Sequence, residues 1–177
     1  MRVARRSGCG IVRLRPGRGR KHGGISRLAS ESVARAHGLD PARSVFIRQS
    51  RAAIDAGAFH NDVVSVGALD TLFFHELAFE GTEAALSDIR TAAEGVFDFK
   101  PVMVPAEEVP IEDAIRAYLF NSQLLKMPGE DRLMLVAPTE TEETDSTRAY
   151  CERLVSSNGP IGQVIYADVR QSMRNGG

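Results

Sequence analysis

Tryptophan is absent from the 177 residues, cysteine occurs only twice, and aromatic residues make up 6%. Two cysteines, Cys9 and Cys151, exclude a disulfide-stapled scaffold, and neither has the spacing of a structural zinc site. No apolar run approaches the roughly 18–20 residues of a membrane span. The basic first residues are not followed by the apolar stretch that a signal peptide needs. These absences lead to the expectation of a soluble, cytoplasmic protein with no membrane partner. What is present is 43% hydrophobic and 25% charged residues. That is enough apolar material for a packed core and argues against wholesale disorder. The length suits one domain or a piece of one.

The formal net charge of −1 conceals an asymmetry. Residues 1–24 hold seven Arg and one Lys and no acid, which leaves 14 basic against 23 acidic residues after them. A basic arm with six glycines thus precedes an acidic body. With little apolar periodicity, the arm (1–24) is expected to be disordered. Phosphate contacts are one use for such an arm. The absence of an aromatic for base stacking and the acidic neighbour argue against nucleic acid as a partner.

Across the body (25–177) the pattern alternates between strand and helix. Leu28, Ala29, Ser32, Val33 and Ala36 fall on one helical face, with Ser26 as cap and Gly38 as stop. Ser44–Gln49, Val63–Val66 and Thr71–His75 read as strands. A helix opens at Thr82, with Leu86, Ile89 and Ala93 on its apolar face, and a strand follows over Pro101–Val104. Pro110 starts the cleanest amphipathic stripe, Ile111, Ala114, Ile115, Tyr118 and Leu119. Strands over 121–125 and 132–136 flank a turn at Pro128-Gly129. The acids Glu140–Asp145 precede a fourth helix and complement its macrodipole. Gln163–Val169 is the last strand. Residues 63–104 and 121–169 therefore share the order strand, strand, helix, strand. Two ββαβ units, each with a helix covering one face of a small sheet, fit an α+β or an α/β-propeller arrangement whose neighbouring units complete one another's core.

His60 and Asp62 stand where a loop gives way to a strand. In extended chain, side chains at i and i+2 share a face, so an imidazole and a carboxylate would line one pocket. That suits a His acting as general acid and base beside an Asp that takes hydrogen bonds from a cation. A hydrogen-bonded structural His is the alternative. His75 and Glu76 add donors, but nothing in the spacing is diagnostic, and no metal is assigned. Asn121, Ser122 and Gln123 are turn and capping residues or ligand contacts. Cys151, on the apolar face of the fourth helix, reads as a small hydrophobe rather than a nucleophile.

Three segments carry a resemblance: Ala53–Val64, Tyr118–Leu125 and Asp168–Gly177. Together they resemble the N-succinylarginine dihydrolases, guanidine-modifying enzymes of the pentein, or α/β-propeller, fold. The likeness runs from about Leu28 to Gly177. It implies hydrolysis of the guanidinium group of N2-succinylarginine to N2-succinylornithine, two ammonia and carbon dioxide in arginine catabolism. The family does this with a Cys thiolate that attacks the guanidinium carbon, a His that shuttles protons and carboxylates that grip the nitrogens, with no cofactor. On matching motif positions, the resemblance implies that His60 is the catalytic histidine and that Asp62 and Asn175 bind substrate.

The resemblance also implies what is missing. The family's nucleophilic Cys lies a few residues past the Arg-Asn-Gly-Gly segment, and its catalytic Glu lies in an earlier blade. A substrate-binding Arg expected before the first helix aligns with Gly24. A partial, incomplete propeller is therefore expected, inactive on its own and homodimeric in its full-length form. The other reading is a non-catalytic interaction module recruited to RNA by its basic arm.

Overall fold

The computed structural model describes residues 10–14 and 27–172. The fold is mixed α/β with small sheets, none closed into a barrel among the described residues. The described residues divide into two compact bodies, one from those within 1–51 and 79–99 and the other from those within 52–78 and 100–177.

The first body contains β1 (Gly10–Leu14), α1 (Arg27–Ala36), β2 (Ser44–Arg48) and α3 (Thr82–Ala93). β1 runs parallel to β2, with Gly10 opposite Ser44 and Leu14 opposite Arg48. Part of the arm expected to be disordered is thus a strand; the rest of it, with the Ser26 cap, lies outside the described residues. β2 buries Val45 and Ile47 by simple alternation. α3 packs on β2, and the Arg43 guanidinium donates to the carbonyls of Ala92 (3.0 Å) and Glu94 (3.2 Å), closing the α3 C-terminus. The face of α1 differs from the expectation. Ser30 and Ala34 are buried, while Leu28 and Val33 are exposed. Small residues let the helix approach β1 and β2 closely, and that close packing overrides the larger apolar stripe.

The second body holds α2 (Arg51–Asp55, beginning at the boundary), β3 (Ser65–Ala68), β4 (Thr71–His75) and β5 (Lys100–Val104). After these come α4 (Ile111–Arg116), β6 (Gln123–Lys126), β7 (Leu133–Pro138), α5 (Thr139–Glu143), α6 (Asp145–Ser156) and β8 (Ile161–Ala167). Its two sheets have the same plan: an antiparallel pair, β3–β4 or β6–β7, then a parallel third strand, β5 or β8. β4 is central and every one of its residues is buried, which is why Thr71–His75 reads as a nearly continuous apolar run. β3 and β6 are neighbours, and one core spans both sheets. Phe73, Val104, Leu119, Phe120, Leu135, Cys151 and Ile161 meet there, with the Phe73 and Phe120 rings 4.9 Å apart.

Three further expectations are corrected. The helix between β4 and β5 belongs to the first body, so only the β6–β8 sheet keeps its own helix, α6 packing on β8. The stripe from Pro110 does not stay helical to Leu119: α4 ends at Arg116, and Tyr118 takes φ 53°, turning Leu119 and Phe120 into the core as a loop. The acids at 140–143 do not merely precede a helix. They form α5, which breaks at Thr144 before α6 begins.

Candidate functional site

Antiparallel pairing puts the start of β3 at the end of β4, since Ser65 faces Phe74 and the amide of His75 donates to Val64 O at 2.9 Å. The loop from α2 reaches this sheet end through Gly57, whose φ of 108° only glycine adopts readily. Ala58, fully buried, donates to Ala53 O at 2.9 Å and anchors the loop. The next residues, His60, Asn61 and Asp62, therefore stand at a fixed place.

Their local geometry is not the strand that the spacing suggests. His60 is extended (φ −121°, ψ 151°) but caps a 3-10 turn over Asn61–Val63, and β3 begins only at Ser65. In a 3-10 turn successive residues rotate by about a third of a circle, so the i, i+2 alternation of a strand does not hold. The reason lies in Asn61: its amide Nδ2 donates to Ser65 Oγ, and Val64 N–H returns to Asn61 O at 2.9 Å, which favours a turn over a ladder. His60 and Asp62 are both exposed, two residues apart on this braced turn. The imidazole of His60 makes no capping bond. It is sterically open for proton transfer, and the Asp62 carboxylate is open to a cation.

His75, at the end of β4, is a structural histidine. It is fully buried, its Nδ1 accepts from Leu77 N–H at 3.1 Å, and its Nε2 lies 2.9 Å from Val109 O. An accepting Nδ1 leaves Nε2 as the donor to that carbonyl. Burial lowers the pKa of His75, against smaller raising effects of the Val109 carbonyl, Glu76 and Glu112. Glu76 Oε2 accepts from Ala106 N–H at 2.8 Å. No group of three or more His, Cys, Asp or Glu among the described residues is placed to hold a metal ion.

At the corresponding end of the β6–β8 sheet, the chain leaves β8 through Asp168 towards the Arg-Asn-Gly-Gly segment. Asp168 Oδ1 accepts from Arg170 N–H at 3.0 Å, and Thr139 Oγ1 donates to Ala167 O at 3.5 Å. The Arg170 guanidinium reaches α5, with Nε 2.9 Å from Glu140 Oε1 and a second nitrogen on Glu143. Ser122 Oγ and Glu140 Oε2 are buried atoms without a hydrogen-bond partner among the described residues. Asn121 is exposed in the turn after Tyr118. Asn175 lies outside the described residues, so of the three sequence-predicted site residues only His60 and Asp62 are seen together.

The buried Cys151 thiol is pushed up to about 11, chiefly by burial, with a hydrogen bond from Tyr166 opposing and the Glu152 charge assisting. It cannot serve as a nucleophile at neutral pH. Cys9 lies outside the described residues. The bridge from Arg170 to Glu140 and Glu143 was hidden in the sequence, because an acidic run before a helix has a sufficient explanation in the macrodipole.

Compared with known proteins, residues 20–177 match the family model described as succinylarginine dihydrolase. Among similar curated proteins, N-succinylarginine dihydrolase 2 of Caulobacter vibrioides is 53% identical over 152 residues, covering 86% of this chain and 34% of that protein. N-succinylarginine dihydrolase of Sphingopyxis alaskensis is 51% identical over 149 residues, 84% of this chain and 35% of that protein. The Aeromonas hydrophila protein of the same name is 45% identical over 150 residues, 84% of this chain and 33% of its own length. The chain thus spans about a third of the length of these relatives.

Proposed function

Because the chain belongs to the succinylarginine dihydrolase family over residues 20–177, we propose that it supplies part of the active site of an enzyme hydrolysing the guanidinium group of N2-succinylarginine. The products are N2-succinylornithine, two ammonia and carbon dioxide, with two waters consumed. His60 moves protons to and from the departing nitrogens. Asp62 accepts hydrogen bonds from the guanidinium, whose planar fork suits a carboxylate. Asn175 is a further substrate contact. The observation that carries the reading is the family match through all three motifs, joined to the exposure of His60 and Asp62 on one braced turn. The reading calls on no metal or cofactor.

The twofold recurrence of an antiparallel pair with a parallel third strand supports two blades of an α/β-propeller. On this reading the whole enzyme is a cytoplasmic homodimer. Among the described residues no helix is long and apolar enough to cross a membrane. The alternative, an interaction module with an RNA-binding arm, draws no support from the family match.

The described residues offer no thiol able to attack, since Cys151 is buried. The 177-residue chain is expected to bind N2-succinylarginine without releasing ammonia. Titration calorimetry tests this, with D62N expected to weaken binding by about tenfold or more, as loss of a paired charge does. No saturable binding, or binding indifferent to D62N, overturns the proposal.

A further inference from the structure

We propose that β8 is an interface strand, through whose free edge two copies of this chain join antiparallel about a twofold axis. The reading above names a homodimer without an interface. The inference is drawn from β8 itself and does not depend on the substrate.

Each three-stranded sheet of the second body ends on its parallel third strand, β5 in one and β8 in the other. An edge strand presents a row of backbone N–H and C=O groups to any extended chain, and proteins blunt such edges with charge or proline. β5 has both, in Lys100 and Pro101. β8 has neither: Ile161-Gly162-Gln163-Val164-Ile165-Tyr166-Ala167 is uncharged and rich in strand formers. Among the described residues no strand or isolated bridge pairs with its outer edge. Its side chains are not withdrawn either, since Gln163 and Ile165 are exposed.

The open ladder calls for an extended strand as occupant, and a charged one would find no counter-charge on β8. A second β8 meets both terms. Antiparallel pairing centred on Val164 sets Ile161 opposite Ala167, Gly162 opposite Tyr166 and Gln163 opposite Ile165. The first two pairs join a large side chain to a small one. On the exposed face, Gln123, Val136 and Ile165 form one row across the sheet, and Leu125, Met134 and Gln163 form the next. The twofold axis continues the first row of one copy into the second row of the other. The two Ile165 side chains, each 40% exposed in the single chain, then lie diagonally against each other over the seam. Each copy spends its β8 edge once, so the assembly closes at two chains.

The test is sedimentation of the 177-residue chain over a dilution series, for the wild type, I165K and M103K. The wild type is expected to form a dimer that dissociates on dilution. I165K sets two ammonium groups side by side across the seam and is expected to raise the dimer dissociation constant about tenfold or more. M103K puts the same charge on β5, at a residue 43% exposed, and should leave association unchanged. The register is tested in a C9S background, where Q163C mixed with I165C should cross-link under mild oxidation in preference to either variant with itself, because only the mixed pair stands directly opposite. A wild type that stays monomeric overturns the proposal. So do assemblies larger than dimers, a dimer indifferent to I165K, one weakened equally by M103K, or cross-links without preference for the mixed pair. Should I165K fail to fold, the cysteine pair alone decides. None of these readouts involves N2-succinylarginine, so the substrate reading stands or falls separately.

Discussion

The imidazole of His75 lies 2.9 Å through Nε2 from the carbonyl of Val109, 34 residues away, and has no exposed surface. Its ring also meets Phe120 edge-on, with centroids 6.4 Å apart at 89°. The neutral ring thus joins the end of β4 to the approach of α4. Protonation would place a charge in the core and abolish the acceptor at Nδ1 that holds Leu77 N–H.

A pH dependence follows. Burial holds the folded-state pKa of His75 below its ordinary value of 6.5. Between the two values the unfolded chain binds a proton that the folded chain refuses, so stability increases with pH in that window. The contribution is complete above about 6.5 and is lost as pH falls towards the folded value, at no more than about 1.4 kcal/mol per unit. Urea unfolding from pH 7.5 to 5 should show this slope. H75Q should flatten it while costing about 1–3 kcal/mol at neutral pH through unpaired backbone groups. An unchanged slope in H75Q would transfer the effect to another group.

Gly162 permits a close approach in β8. A Cβ there would stand 2.8 Å from Arg132 Cβ and 3.0 Å from its Cδ and Nε. The same guanidinium donates to Gly159 O at 2.8 Å and Ser157 O at 2.7 Å, capping the end of α6. G162A should therefore cost about 1–3 kcal/mol in denaturant unfolding. In an R132A background the cost should shrink without vanishing, because the Cβ of residue 132 remains. Additive effects of the two substitutions would exclude the Arg132 side chain beyond Cβ as a source of the clash.

Strands and helices were largely legible because their patterns are local. The apolar run at Thr71–His75 reads as a strand, and Thr82 with Gly95 bounds α3. What was not legible depended on partners distant in sequence. Nothing local to Leu28 and Val33 says that Ser30 and Ala34 take the buried face instead. The stripe to Leu119 remained apolar after its helix had ended, because buried loops need apolar residues too. At the site, the motif placed His60 and Asp62 together but not the 3-10 turn, since the bond from Asn61 to Ser65 competes with strand pairing in a way that alternation cannot show. Arg170 gave no local sign of its two carboxylates.

Cys151 provides a direct test of whether a nucleophile is concealed in the described core. The thiol is 1% exposed, beside Tyr150, and its pKa is pushed up to about 11 from 9.0, first by burial. At pH 8 only about one molecule in a thousand then carries the thiolate, and the reagent has no path to it. In a C9S variant, where Cys151 is the sole thiol, a disulfide reagent should react no faster than the protein opens, and the rate should jump in urea. The raised pKa has a stability consequence of the opposite sign to that of His75. The folded chain keeps a proton that the unfolded chain has released, so stability is intact below about 9 and lost as pH climbs towards 11. C151A should weaken that alkaline loss, leaving the parts due to Tyr150, whose own hydroxyl is raised to about 12 by burial, and to Tyr166, whose hydroxyl burial also raises. Rapid, stoichiometric labelling of native Cys151 at pH 8 would defeat this account.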